Sequence, residues 1–256
     1  MALLQVDRMT HYFGGLQAVG SYSLRINPGE IHGLIGPNGA GKTTVFNLIT
    51  GIHTPTEGGV FLEGRRLIGL RPHQIAALGL GRTFQNMLLW RHMTVLEHVK
   101  VAHYAQINYG LLSALLGSHR RYADEAFIEK NSLHLLDIFD VAHYADQLVA
   151  NLPYGAQRRV EMARAMAIRP KILLLDEPTA GMTTEEMIQM IGIVRKIHEQ
   201  FKVAILLIEH RLKFVMELCR FVQALVFGKV IAEGTPEEIR SNPKVIEAYL
   251  GSEDVS

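Results

Sequence analysis

Apolar positions along the chain change their period several times, and each change predicts an element. Residues 3–36 alternate or run apolar between tight turns, which predicts strands over 3–10, 22–30 and 31–36. Helical spacing begins after Gly41, and a strand pattern returns over 58–64. From 94 to 150 the spacing is mostly helical, opened by Thr94 with Glu97 as a capping box. Short apolar strands follow at Ile172–Leu175, Val203–Ile208 and Phe221–Phe227. Between the first two, a helix over roughly 184–200 opens at Thr183 with Glu186. Near the end, Thr235-Pro236-Glu237-Glu238 combines an N-cap, a proline at the first helical position and a capping glutamate. Near-continuous apolar strands alternating with helices predict an α/β fold around a mainly parallel sheet. The helical block at about 86–150 interrupts that alternation and reads as an insertion.

Composition narrows the classes. The 256 residues are 48% hydrophobic and 20% charged, with enough apolar surface to exclude a disordered chain. Net charge is +1, so no strong field draws in nucleic acid or an acidic membrane surface. The single cysteine, Cys219, excludes an intramolecular disulfide and a multi-cysteine metal site. The first residues lack the apolar core of a signal peptide, and the longest apolar runs fall far short of the ~20 residues that span a bilayer. These features predict a soluble protein. Mean hydropathy of +0.12 with charge below the usual ~25% hints at a surface covered by a partner.

The chemistry begins at Gly36-Pro37-Asn38-Gly39-Ala40-Gly41-Lys42-Thr43, which fits G-x-x-x-x-G-K-[ST]. The apolar strand Ile31–Ile35 precedes it and a helical segment from Thr43 to Thr50 follows, the context such a loop requires. Glycines let the backbone wrap closely so that its N–H groups face phosphate oxygens. The helix N-terminus adds partial positive charge. Lys42 is placed to reach the β- and γ-phosphates of ATP, and the Thr43 hydroxyl to ligate Mg²⁺.

Ligands of open α/β sheets sit beyond the carboxyl ends of strands, so polar residues there are candidates. Asp176-Glu177 ends one apolar strand: Asp176 suits a Mg²⁺ position, and Glu177 suits a base that takes a proton from the attacking water. Alternation along a strand turns the two carboxylates to different sides. Glu209-His210 ends another strand. His210 reads equally as a γ-phosphate sensor or as a structural histidine. Gln85, taken alone, reads as a loop residue, and Phe13 either stacks on a base or packs in the core. The twelve histidines have no metal-ligand spacing, and His98 and His103 fall off one helix face. The apolar stretch Leu111–Leu116 reads as core more than as a partner surface.

The segment Asn151-Leu152-Pro153-Tyr154-Gly155-Ala156-Gln157-Arg158-Arg159 decides between nucleotide-binding classes. It resembles the signature of ABC-transporter ATPases, usually written LSGGQ and followed by a basic helix. The phosphate loop, Gln85, Asp176-Glu177 and His210 stand in that family's order. Phrases such as Phe13-Gly14-Gly15-Leu16, Arg82-Thr83-Phe84-Gln85-Asn86, Ile208-Glu209-His210, Glu233-Gly234-Thr235-Pro236 and the insertion around Gly110–Tyr122 look like the ATP-binding subunits of branched-chain amino acid importers.

The resemblance implies one ABC ATP-binding domain over 1–256, with a P-loop core, an N-terminal antiparallel β subdomain and a helical subdomain at approximately 86–165. It implies that Phe13 stacks on adenine and that Gly36–Thr44, including Thr44, cradle the phosphates. Gln85 would touch Mg²⁺ or the attacking water, Asp176 support Mg²⁺, Glu177 act as general base and His210 as switch. Gly155 and its neighbours would cover ATP on a facing ATPase subunit, identical or paralogous. Residues 86–93, with Leu88, Leu89 and Trp90, would meet one of two membrane permeases, served in turn by a periplasmic or extracellular solute-binding protein. The place of work would be the cytoplasmic face of the inner membrane. Pro153, Tyr154 and Ala156 depart from the signature, and Thr183 stands where the family carries an aspartate. A nucleic-acid or ribosome-remodelling ATPase is disfavoured by the balanced charge, and a P-loop kinase by the signature-like segment.

Overall fold

A computed structural model describes residues 1–85, 87, 89–104 and 119–250 of the chain. They form two compact units, one of residues 1–85 and 171–256 and the other of residues 86–170. The expected insertion around Gly110–Tyr122 and the stretch Leu111–Leu116 lie outside the described residues, apart from the helical backbone of 119–122.

The first unit carries two sheets. An antiparallel sheet has the order β2-β1-β4-β5, from β1 (Leu4–Phe13), β2 (Leu16–Ile26), β4 (Glu57–Leu62) and β5 (Arg65–Arg66). A six-stranded sheet has the order β10-β9-β3-β8-β7-β6, from β3 (Ile31–Ile35), β6 (Leu80–Arg82), β7 (Ile172–Asp176), β8 (Ala204–Ile208), β9 (Phe221–Val226) and β10 (Lys229–Gly234). Its strands run parallel except for the β9–β10 hairpin at one edge. Every residue of β3, β7 and β8 is buried, which explains their unbroken apolar runs. One apolar core joins the two sheets through Leu4, Met9, Ile26, Leu34, Phe46, Leu174, Leu206 and Leu225.

Helices α1 (Lys42–Ile49), α2 (Pro72–Ala77), α6 (Thr184–Phe201), α7 (Leu212–Leu218), α8 (Pro236–Arg240) and α9 (Pro243–Leu250) complete this unit. Thr183 and Thr235 cap α6 and α8 as expected: each hydroxyl accepts the N–H three residues on, and the glutamate there accepts the cap's own N–H. β6, α2 and α7 were not legible, being too short to establish a period.

The second unit is helical, with α3 (Val95–Tyr104), α4 (His119–Ile138) and α5 (Tyr154–Ala167). Thr94 and Glu97 form the expected capping box at 3.2 and 2.7 Å. Val95, Val99, Leu136, Phe139, Val160 and Met166 are buried here. So is the ion pair of Arg158 with Glu161 at 2.7 Å, one turn apart on α5.

Candidate nucleotide site

Strand order puts four chain segments side by side at one end of the six-stranded sheet. The phosphate loop leaves β3, His210 follows β8, Asp176 and Glu177 end β7, and Gln85 lies just past β6. Phe13, Asn38, Gly39, Ala40, Gly41, Lys42, Thr43, Thr44, Gln85 and Glu177 line one cavity of about 520 Å³. A larger cavity of about 660 Å³ lies by the opposite ends of β3 and β9, among Arg25, His32, Arg220 and Gln223, and holds no candidate residue.

The loop's geometry follows from its glycines. Gly41, the residue before α1, has a φ of 103°, and a Cβ there would sit 2.5 Å from the Ala18 carbonyl oxygen. Only glycine fits that close approach. No side chain caps α1, so no cap takes up its first-turn N–H groups. Lys42 is buried, its ammonium donating to the carbonyls of Gly36 at 2.6 Å and Pro37 at 3.0 Å. Those carbonyls hold the ammonium over the loop, where an anion would meet it.

Gln85 and Glu177, far apart in sequence, meet at 2.9 Å, the amide nitrogen donating to the carboxylate. Glu177 has a φ of 47°, so it has already left the strand. Its separation from Asp176 therefore comes from a backbone bend rather than from strand alternation. Asp176 is fully buried and outside the cavity lining. Its Oδ2 accepts from Arg82 at 2.8 Å, and its N–H donates to Thr83 Oγ1 at 3.2 Å. Arg82 also donates to Asn47 on α1 and to Thr50 just after it, and lies over the Phe46 and Phe84 rings. Burial draws the Arg82 pKa below its ordinary value, and Asp176 opposes that shift. Removing one partner of such a buried pair costs about 3–5 kcal/mol.

His210 is exposed, and its ring is not part of the cavity lining. Its backbone is fixed by Glu209, which is fully buried. Glu209 Oε2 accepts from the N–H groups of His210 and Arg211 at 3.1 and 3.2 Å. The other oxygen accepts from the Thr179 N–H at 2.9 Å and hydroxyl at 2.5 Å. Phe13 is 46% exposed and meets the edges of His11 and His53 at 4.7 and 5.4 Å between centroids. The sequence reading gave Arg82 and Glu209 no role: Arg82 ends β6, which is too short to read as a strand, and at the end of β8 the reading went to His210 rather than to Glu209 before it. The signal for Arg82 was its place directly before Thr83-Phe84-Gln85.

Gly155 belongs to the helical unit, as the second residue of α5, and is buried. Pro153 precedes that helix with extended backbone, and its carbonyl accepts from Ala156 and Gln157 at 3.0 Å each. Of the expected docking residues, Leu88 lies outside the described residues, Leu89 is half-buried and Trp90 is 54% exposed. The Trp90 ring lies tilted against that of His98, 5.8 Å between centroids, with Arg164 over its ring at 5.9 Å.

Mg²⁺ takes oxygen ligands and keeps few protein carboxylates. The residues here fit that: Thr43 offers a hydroxyl in the cavity, and Gln85 gives its nitrogen to Glu177, turning its oxygen away from the carboxylate.

Residues 19–180 match the ABC transporter family, and residues 229–255 match a family described as branched-chain amino acid ATP-binding cassette transporter. The chain is 41% identical to the high-affinity branched-chain amino acid transport ATP-binding protein BraF of Pseudomonas aeruginosa, covering 97% of this chain and 98% of that protein. It is 44% identical to LivG of Escherichia coli K12, of the same description and the same coverage. An ATP-binding cassette of an ABC transporter in its ADP conformation superposes with a TM-score of 0.84 at 29% identity, covering 98% of this chain and 99% of that one. A nucleotide-free ATP-binding cassette gives 0.83 at 30%, covering 97% and 99%. With one family matched over most of its length and such relatives along nearly all of it, the chain belongs to the ABC transporter family.

Proposed function

We propose that this subunit binds and hydrolyses ATP to power an importer of branched-chain amino acids. The observation that carries the cargo is the match of residues 229–255, which span β10, α8 and α9, to the branched-chain transporter family. The chemistry rests on the cavity that gathers Lys42, Thr43, Gln85 and Glu177.

In this reading Phe13 takes the adenine, and the amides of the loop with Lys42 take the phosphates. Mg²⁺, held by Thr43, Gln85 and the side of the site set by Asp176, would neutralise phosphate charge. Glu177 accepts a proton from the attacking water, and its bond from Gln85 aims the carboxylate. His210 serves as the switch, on a backbone that Glu209 holds. Cassettes of this family work as dimers with membrane permeases. Gly155 and the start of α5 would cover ATP bound to the facing subunit, and Trp90 would meet a permease. A solute-binding protein would deliver the cargo, with this chain at the cytoplasmic face of the inner membrane. Among the described residues, no helix is long and apolar enough to cross a membrane.

Deleting the gene should stop high-affinity uptake of leucine, isoleucine and valine in a radiolabelled transport assay. Unimpaired uptake of all three, with loss of another solute, would overturn the cargo and leave the ATPase in place.

A further inference from the structure

Phe227 sits at the tip of the β9–β10 hairpin and is 86% exposed, more than any other aromatic residue among those described. Its φ is 47°, and that of Gly228 is 73°. The flanking Val226 and Lys229 pair directly, so Phe227 and Gly228 form a two-residue turn with positive φ at both positions. Such turns favour Asn-Gly or Asp-Gly. Phenylalanine has no short polar side chain to ease the left-handed conformation. It also leaves a large ring in water. Two costs fall on one residue, and asparagine would remove both.

The tip is fastened to the phosphate loop. Gly228 N–H donates to the Ala40 carbonyl at 2.8 Å, and Gly20 N–H donates to the Gly228 carbonyl at 2.8 Å. A Cβ on Gly228 would lie 2.5 Å from the Ala18 carbonyl oxygen, so the turn also sits tight on β2. Phe227 thereby lines the same cavity of about 520 Å³ as Phe13, Leu16 and Lys42. Phe13, Leu16 and Phe227 are all exposed apolar side chains around a floor of backbone amides. A polar floor with an apolar rim matches a ligand with a phosphate tail and a flat aromatic head.

We propose that Phe227 is a second base-binding residue, contacting the adenine of ATP together with Phe13. The turn spends backbone strain to hold that ring at the nucleotide. This rests on the reading of the cavity as an ATP site.

The test is calorimetric titration of the full-length protein with ATP, ADP and inorganic tripolyphosphate, each with Mg²⁺. Phe227→Asn suits the turn and keeps the hairpin, so it isolates the ring. Losing one base–aromatic stack should weaken ATP and ADP binding by about 5- to 160-fold. Tripolyphosphate, which has no base, should bind the variant as it binds the wild type. Phe227→Tyr, which keeps the ring, should retain ATP affinity. Unchanged ATP affinity in Phe227→Asn overturns the proposal, and so does an equal weakening of tripolyphosphate. Wild-type protein that binds tripolyphosphate as tightly as ATP would bring down the nucleotide reading, and this proposal with it.

Discussion

Among the helices that begin without a side-chain cap, α1 and α5 form a pair to compare, one in each unit. Neither α1 nor α5 has a side chain bonded to its first turn. By contrast, α3, α6 and α8 open with a threonine and a glutamate that take up the leading N–H groups. A start closed by a threonine together with a carboxylate is shut to an anion, while a start without that carboxylate keeps its partial positive charge and its remaining donors available. The two open starts differ in how they are built. The residue before α1 is Gly41, whose φ of 103° aims the preceding backbone at the cavity. The residue before α5 is Pro153, which has neither a hydroxyl nor an N–H to offer. In the proposed function the α1 start is the anion cradle, with Lys42 beside it. The α5 start keeps its helix end but lacks the donors a serine would add.

The sharpest way to break this comparison is at the chemistry, which it assigns to the first unit. Glu177→Gln keeps the size of the side chain but cannot accept a proton. Hydrolysis in the assembled transporter should fall by about 10²- to 10⁴-fold, the usual worth of a general base. Titration should find ATP affinity retained, because the cradle of α1 is untouched. Hydrolysis near the wild-type rate would move the base elsewhere and leave the meeting of Gln85 and Glu177 without a catalytic meaning.

The same contrast explains what could be read beforehand. The phosphate loop was legible because close backbone approach demands glycine at fixed spacing and leaves little else to choose. β3, β7 and β8 were legible because burial on both faces makes them continuously apolar. Arg82 was not, since its meaning depends on Asp176, ninety-four positions away and brought near only when β6 pairs with β7. The bend at Glu177 was also hidden: a positive φ on a glutamate leaves no mark in the pattern. Phe227 reads as the last apolar residue of a strand, and only its backbone exposes it as a turn residue.

A smaller effect sharpens the comparison at the second helix start. Pro153→Ser supplies an N-cap hydroxyl to α5. Caps contribute about 0.5–2 kcal/mol, and losing a proline returns about 0.4–1 kcal/mol of chain entropy to the unfolded state. The net change in unfolding free energy should therefore lie between a loss of about 0.5 and a gain of about 1.6 kcal/mol. On the proposal that this helix covers ATP of a facing subunit, hydrolysis there should rise as well, because the serine adds a donor toward phosphate. Thr183→Ala is the contrasting case: it uncaps α6, costs about 1 kcal/mol, and should leave ATP affinity alone. A Pro153→Ser transporter no more active than the wild type would mean that the helix end alone suffices.

The smallest expected effect separates the units by pH. In the helical unit, His98 and His103 are buried, and burial lowers both pKa values from the ordinary 6.5. At His98 the bond to the Thr94 carbonyl and the Glu97 carboxylate oppose the shift while Arg164 adds to it; at His103 Arg169 adds to it. The bonding of His98 agrees with a neutral ring: Nε2 accepts the Trp90 N–H at 2.8 Å, so Nδ1 carries the proton toward the Thr94 carbonyl at 2.8 Å. In the first unit His32 is also buried with a lowered pKa, but Glu30 opposes that shift through a 3.0 Å contact. A base with a lowered folded pKa binds its proton more readily when unfolded. Its contribution to stability is therefore present above the unfolded value near 6.5 and is lost as pH falls through the lower folded value. With two such histidines facing arginines, the helical unit should lose more than the first unit on acidification. Hydrogen exchange at pH 7.5 and 5.5, corrected for intrinsic rates, should find protection falling further in α3 and α5 than in β3. His98→Gln should reduce that difference, because glutamine can accept the Trp90 N–H without titrating. Equal losses in both units would mean that the arginines beside His98 and His103 do not govern their protonation.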